Sequence, residues 1–535
     1  MHRKYSALAT LCILLRTTGL SGAKSLGKRA QTFDWTNVTA SSSLSLTPCY
    51  DGLQCSRLTV CFVKPVNEVL ASDAILGGPG TSGVDTIVEN AAQARFVFGP
   101  GYDIVGFDPR GTAFDDASPQ ASDTPRRCSR SSRFATYPLN ANESVSSLGR
   151  IIAQAQILGD LAVSRAKTVA ESMSSPTVAM DMLSIVRAFG RENLSYYGLS
   201  SGSLLGATFA AMFPDKVERI ALDGVANAHE WYRGTYFATS TLLDTDAALE
   251  SVYEACVAAG PSLCPIFEHS TALVRARVDR LLDAVTLAPV AVFNSSEEAG
   301  NVFGVVDHAV VVQQLLDMLS NPYNGASAFA EAVVALEAGN GSLMLQGSDT
   351  QMFGTLATCA GGAQPVQVGS IDVEAAIVCG DSLIDTRRTL AGARAEYEGM
   401  LQQSNLATTW YPLTQGFCAG WSLHGKDKFN GSFETNTSFP LLFIGNTYDP
   451  ATPIQNAHNM SAGFAGSVVL QQNSTGHTSQ SGLSTCTIAA LSAYFNNGTL
   501  PHPRTICPTD TGIFGVAGTS AVAVRRQNTT GSRSN

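Results

Sequence analysis

The chain has 535 residues, 44% of them hydrophobic and 15% charged, so it can bury a large core and suits one large catalytic domain with an insertion, or two domains. Its net charge of −10 is thinly spread and argues against nucleic acid, which requires a basic face. The twelve cysteines point to an oxidising compartment.

The N-terminus reads as a secretory leader over residues 1–23. Arg3 and Lys4 are basic, Ala7 to Leu15 is apolar and too short to span a bilayer, and Ser21-Gly22-Ala23 offers small residues for cleavage. Residues 24–48 form a polar lead-in, in which Lys28-Arg29 is either a processing site or a solvated charge pair. A first core segment is expected over 49–225. Leu58 to Val63 reads as a strand, and Ala74 to Leu76 enters the turn Gly77-Gly78-Pro79-Gly80. A helix is predicted from Val84 to Arg95, then a buried strand from Tyr102 to Phe107 ending at Asp108-Pro109-Arg110-Gly111. Residues 112–150 are polar and irregular. Thr177 can cap a helix that carries Val178, Met182, Ile185 or Val186, and Phe189 at helical spacing and that ends at Gly190.

The apolar run Leu194 to Tyr197 then enters Gly198-Leu199-Ser200-Ser201-Gly202, followed by Leu204-Leu205-Gly206-Ala207. Strand, sharp turn and helix with a serine at the apex is the pattern of a nucleophile elbow. Val217 to Leu222 is a further buried strand, closing at Asp223-Gly224. From 226 to 405 helical patterns dominate, for example Leu242 to Ala259 and Ala272 to Val285. This block is expected to cap the C-terminal ends of the strands, where open α/β sheets place ligands. The core resumes over 406–511 with strands at Leu441 to Gly445 and Ser467 to Leu470 and a helix near Thr487 to Phe495; 512–535 is a polar tail. The expected fold is therefore an α/β-hydrolase fold, a mostly parallel sheet with a large, mainly helical cap insertion.

A serine hydroxyl needs a base to take its proton and an acid to orient that base. In this fold the order is Ser, then Asp or Glu, then His. Ser200 is the candidate nucleophile. Of His458, His477 and His502, His477 sits in the small-residue loop Ser474-Thr475-Gly476-His477-Thr478-Ser479 and is the candidate base. His458 lies in a helical stretch and His502 between two prolines. Asp449 follows the strand Leu441 to Gly445 and is the candidate acid, with Asp223 as its rival. The oxyanion hole is expected from the backbone N–H of Ser201 and from Gly77 and Gly78. This chemistry uses no cofactor and no metal.

With Cys12 in the leader, eleven cysteines remain, an odd number. Cys49/Cys55, Cys256/Cys264, Cys379/Cys418 and Cys486/Cys507 are the candidate pairs. N-x-S/T occurs at Asn37, Asn142, Asn193, Asn294, Asn340, Asn430, Asn436, Asn459, Asn473, Asn497 and Asn528, as a secreted glycoprotein would show. No later run is long enough for a membrane helix, and the tail lacks a lipid-anchor signal. A secreted, extracellular protein is expected, a monomer without membrane or nucleic-acid partners.

Several blocks together resemble the tripeptidyl-aminopeptidase/prolyl-aminopeptidase (TAP-like, peptidase S33) branch of the α/β-hydrolases. They are Ile75 to Gly80, Tyr102 to Gly111, the elbow, and Asn446-Thr447-Tyr448-Asp449-Pro450-Ala451-Thr452-Pro453. Ala376 to Asp381, Cys418 to Trp421 and the segment Cys486 to Cys507 also match that pattern. The resemblance implies a secreted serine peptidase that releases short peptides or single residues from free N-termini through an acyl-enzyme. Such an enzyme binds an ammonium group; Asp381 matches a family position, and Glu230 and Glu374 are further candidates. Two departures stand out. Leu76 replaces the usual His or Asn before Gly-Gly-Pro-Gly, and Ser201 replaces the usual aromatic after the nucleophile. They motivate the alternative of an esterase or a tailoring hydrolase of a small-molecule (secondary-metabolite) pathway, acting on a small ester or amide instead of a peptide.

Overall fold

The computed structural model describes residues 8–14, 47–48, 54–59, 71–73, 78–99, 102–112, 140–294, 302–348 and 371–515. Its ten-stranded sheet contains β1 (Leu8–Leu14), β2 (Thr47–Pro48), β3 (Gln54–Thr59), β4 (Ala71–Asp73), β5 (Asp103–Phe107), β6 (Leu194–Leu199) and β7 (Val217–Asp223). A separate two-stranded hairpin, β8 (Val290–Asn294) with β9 (Val302–Val306), interrupts the helical block. The large sheet is completed by β10 (Leu442–Tyr448), β11 (Val468–Thr475) and β12 (Ile506–Pro508). Its order is β12-β11-β10-β7-β6-β4-β5-β1-β3-β2. Pairs from β12 to β5 are parallel, and β1 to β3 join one edge antiparallel.

The order β4-β6-β7-β10-β11 means that each of these strands reaches its neighbour through a crossover. A parallel pair requires one, because successive C-terminal ends lie at the same sheet edge. The strands are apolar on both faces for the same reason. In β6, Tyr196 faces one core and Tyr197 and Leu199 the other; in β10, Phe443 and then Leu442 and Ile444 divide likewise. The second core is closed by α1 (Gly83–Phe98) and by the helix Thr485–Asn497, where Phe98, Tyr197 and Phe495 meet edge to face.

On the opposite face lie α2 (Ser147–Arg165), α3 (Ser175–Ala188) and α4 (Ser201–Met212). The helix α3 begins earlier than Thr177, the expected cap. Ser174 is the cap residue and Pro176 occupies the first turn, where its missing N–H costs no hydrogen bond. Thr177 instead turns its hydroxyl to Asp427.

Between β7 and β10 the chain is mainly helical: α5 (Ala228–Tyr232), α6 (Thr245–Ala259), α7 (Thr271–Leu287), α8 (His308–Ser320), α9 (Pro322–Glu337), α10 (Ile371–Val378) and α11 (Leu390–Leu401). The hairpin β8-β9 was not expected there. Its residues are apolar on both faces, with Phe293 and Phe303 exposed and Val292 and Val306 buried. After β10 come α12 (Ile454–Ser461) and α13 (Thr485–Asn497).

Disulfides join Cys256 to Cys264, Cys379 to Cys418 and Cys486 to Cys507, three of the four candidate pairs. Cys49 lies outside the described residues, so the pair Cys49/Cys55 does too. Leu8–Leu14, within the segment read as a leader, forms strand β1 and pairs with β3 and β5. Among the described residues no helix is long and apolar enough to cross a membrane. Asn142, Asn340, Asn430, Asn436, Asn459 and Asn497 are exposed, and Asn193 and Asn473 are half-buried.

Candidate active site

Ser200 stands between β6 and α4 with φ 55° and ψ −119°. A non-glycine residue at positive φ is strained, and the surroundings must hold it. Small residues allow the turn: a Cβ on Gly198 would strike the Gly202 carbonyl oxygen, and one on Gly206 would lie 2.5 Å from Leu222 Cδ2 and 2.7 Å from Tyr196 Cε1. The Tyr196 hydroxyl donates to the Gly202 carbonyl over 2.8 Å, and Ser200 N–H donates to the Asp223 carbonyl over 2.9 Å. The apex is thus fixed from its own strand and from the next one.

Asp449 and His477 extend from the ends of adjacent parallel strands. Asp449 follows β10 and is fully buried. Its Oδ1 accepts from Ala451 N–H at 2.9 Å and Thr452 N–H at 2.8 Å, and its Oδ2 from Thr478 N–H at 3.0 Å. His477 follows β11 and places Nδ1 3.0 Å from Asp449 Oδ1 and 3.1 Å from Oδ2. The Thr452 hydroxyl completes this group, 2.8 Å from Asp449 Oδ2 and 3.0 Å from His477 Nδ1. Among the described residues no hydrogen bond joins the Ser200 hydroxyl to His477. In substrate-free sites that contact is commonly long and tightens on binding.

The electrostatics follow from this packing. Burial opposes the charge on Asp449, but His477 beside it and the N–H groups of Thr478 and Thr452 hold its pKa below 3.8. Burial also opposes the charge on His477, but Asp449, by charge and by hydrogen bond, and Asp223 outweigh it and raise the imidazole above 6.5. His458 and His502 are exposed on the surface, away from this group.

Asp223, the rival acid, is also fully buried, but it faces other partners. It accepts from Ser479 N–H, the Ser479 hydroxyl and the Tyr197 hydroxyl. Among the described residues the carboxylate bonded to His477 is that of Asp449.

Gly78 and Ser201 line one pocket, so the glycine turn and the start of α4 are brought together as an oxyanion hole requires. Gly77 lies outside the described residues. The pocket continues between Met173, Val178, Leu204, Leu205, Trp231 and Ile377 and is largely apolar. Its wall explains Asp381. That carboxylate is buried, with Oδ1 accepting from Ser175 N–H at 2.8 Å and Oδ2 from the Ser175 hydroxyl at 2.6 Å and Trp231 Nε1–H at 3.0 Å. Asp381, a candidate for the substrate ammonium, is thus turned into this wall. Three donors reach the carboxylate, and it secures the pocket-lining Ser175 and Trp231 from behind. Glu230 is half-buried on α5 and accepts from the Ser240 hydroxyl. Glu374 lies on α10 next to Val373, which packs against Gly80 of the glycine turn; burial raises its pKa to about 8. None of the three carboxylates is among the residues that line the pocket. Among the described residues no group of three His, Cys, Asp or Glu side chains is placed to hold a metal ion.

Two participants escaped the reading of the sequence. Trp231 carried no local signal. Thr452 did carry one: an Asp followed by Pro and then by Thr three residues on can fold back as a side-chain-capped turn.

The family model for alpha/beta hydrolase fold matches residues 75–252, and that for TAP-like protein matches residues 404–507. The chain has the α/β-hydrolase fold, and its residues 404–507 match the TAP-like segment. It is 31% identical to a tripeptidyl aminopeptidase of Streptomyces lividans over 179 residues, 32% of this chain and 31% of the relative. It is 30% identical to the tripeptidyl aminopeptidase of Streptomyces coelicolor over 186 residues, 32% of this chain and 31% of that one. With the serine protease Hip1 of Mycobacterium tuberculosis the identity is 26% over 245 residues, 42% of this chain and 46% of the relative. The chain therefore spans about a third to a half of the length of these relatives.

Proposed function

We propose that this chain is a secreted serine exopeptidase that releases short peptides or single residues from free N-termini. One observation carries the reading: Asp449 and His477 are within hydrogen-bonding distance after adjacent strands of the sheet in which Ser200 follows β6 at positive φ. His477 takes the Ser200 proton as the hydroxyl oxygen attacks the scissile carbonyl, and Asp449 stabilises the imidazolium. The N–H groups of Ser201 and Gly78 hold the oxyanion. The leaving amine takes the proton from His477, and water, deprotonated by the same imidazole, then hydrolyses the acyl-enzyme. The relatives named tripeptidyl aminopeptidase and serine protease support a peptide substrate. The three disulfides and the exposed sequons support export.

With Asp381 committed to the wall and Glu230 to Ser240, Glu374 beside the glycine turn is the remaining candidate for the substrate ammonium. A second reading has its own support. The pocket at the elbow is apolar and lined by none of the three carboxylates, as suits an esterase or a tailoring hydrolase of a small ester or amide. Cleavage of a tripeptidyl anilide is compared with that of its N-acetylated form. The peptidase reading expects activity on the free amine alone; equal activity on both would replace it with the esterase reading. Full activity in Ser200→Ala would end both.

A further inference from the structure

We infer that Asp223 is a positioning residue that sets Ser200 and His477 relative to each other, its main-chain carbonyl holding the one and its carboxylate holding the loop of the other. The inference rests on the reading of Ser200, Asp449 and His477 as the triad. Asp223 ends β7, which lies between β6 and β10 in the sheet. Its carbonyl accepts from Ser200 N–H over 2.9 Å. Its side chain points to the loop after β11: Oδ1 accepts from Ser479 N–H at 2.8 Å, and Oδ2 from the Ser479 hydroxyl at 2.5 Å. The Tyr197 hydroxyl donates to the same Oδ2 over 2.6 Å, from a position three residues before the nucleophile. One buried residue thereby touches the elbow strand, the elbow backbone and the histidine loop.

The loop itself shows why two carboxylates are needed. Thr478 has φ 63°, a value that a β-branched residue adopts only under constraint. In that conformation its own N–H points to Asp449 and the next N–H, of Ser479, points to Asp223. The segment directly after His477 is pinned to two adjacent strands at once. Gly224 makes room for it: a Cβ there would lie 2.6 Å from Thr478 Cγ2 and 3.4 Å from His477 Cε1. Burial raises the pKa of Asp223 above 3.8, and the hydrogen bonds from Ser479 and Tyr197 offset part of that cost to its charged form.

A residue that served stability alone would leave the pH dependence of the reaction unmoved. The charged groups that act on His477 are Asp449 from the end of β10 and Asp223 from the end of β7. Among the described residues the other groups that meet the imidazole are neutral, the Thr452 hydroxyl and Gly224, and the main-chain N–H of His477 donates to the Ser320 carbonyl at the end of α8. Removing the Asp223 charge therefore lowers the pH at which His477 protonates.

The test uses the full chain and a fluorophosphonate that labels the active serine, with the labelling rate followed across the acid limb. Asp223→Asn is expected to label about 10-fold or more slowly, since small misplacements of reacting groups are costly, with its acid limb displaced to lower pH. Ser479→Ala keeps the charge and removes one contact; it is expected to slow labelling with the acid limb unmoved. The double variant is expected to be no slower than Asp223→Asn alone, because both changes act through one contact. A wild-type rate and unmoved acid limb in Asp223→Asn overturn the inference, and so do effects that multiply independently in the double variant. Should Asp223→Asn not fold, a wild-type labelling rate in Ser479→Ala overturns it alone. Failure of Ser200 to label in the unaltered chain overturns the triad reading, and this inference with it, before any variant is compared.

Discussion

Asp449 Oδ1 lies 3.0 Å from His477 Nδ1, and the carboxylate is already saturated on its other sides by backbone N–H groups. The imidazole is thus held with Nδ1 toward the acid and Nε2 free to face the serine. Asp449→Asn is expected to favour the wrong tautomer and to reduce kcat by about 10⁴-fold, with the fold intact. Steady-state kinetics with unchanged circular dichroism would check this. A loss below about tenfold would place the orienting acid elsewhere.

The same pair predicts the acid side of the pH profile. His477 acts as a base only when neutral, and its pKa is raised above 6.5. Activity should therefore fall as pH drops through an apparent pKa above 6.5, which belongs to the coupled pair and not to one residue. In Asp449→Asn the residual activity should extend to lower pH. A profile of kcat/KM for both proteins decides it, and an acid limb at the carboxylate range in the unaltered chain would exclude His477 as the base.

Thr452 donates to Asp449 and lies against the same imidazole nitrogen. Thr452→Val keeps the shape and deletes the hydroxyl. A hydrogen bond to a charged group is worth about 1.5–3 kcal/mol, so kcat should fall by about 10- to 100-fold while KM changes little. Thr452→Ser should recover most of the activity. A loss in Thr452→Ser equal to that in Thr452→Val would assign the effect to packing of the methyl group.

Asp381 gives a prediction about stability. Burial raises its pKa from 3.8 to about 6. Between those values the folded chain keeps a proton that the unfolded chain releases, so stability falls as pH rises from about 4 to 6 and stays lower above that. The shift corresponds to about 3 kcal/mol. Denaturant unfolding over this range should show a fall that is absent in Asp381→Asn. Parallel curves for the two proteins would exclude a titrating Asp381.

Gly198→Ala tests the elbow itself. The added methyl would strike the Gly202 carbonyl oxygen, which the Tyr196 hydroxyl also binds. The variant is expected to lose fluorophosphonate labelling and to be destabilised by about 1–3 kcal/mol. Wild-type labelling would mean that the turn has slack the structure does not show.

The elements of the core were legible because their signals are local. The apolar runs of β6, β7 and β10 and the small residues around Ser200 are properties of adjacent positions. Chain order then nominated Ser200, Asp449 and His477. Helix α3 was misplaced at its start because two serines and a proline compete with Thr177 for the cap, and only packing decides among them. The hairpin β8-β9 was missed because half of its apolar residues face solvent.

The sequence by itself determined the alternation of strand and helix, the elbow and the three residues placed at strand ends, since each depends on neighbours in the chain. The tertiary structure decided what the carboxylates do. Asp223, Asp381 and Asp449 all look alike in sequence, each at the end of an apolar stretch. One holds a loop, one holds a wall and one holds the imidazole, because the donors that reach them are up to 256 residues distant. No local pattern encodes which N–H groups will surround a buried charge, and it is those groups that set its role.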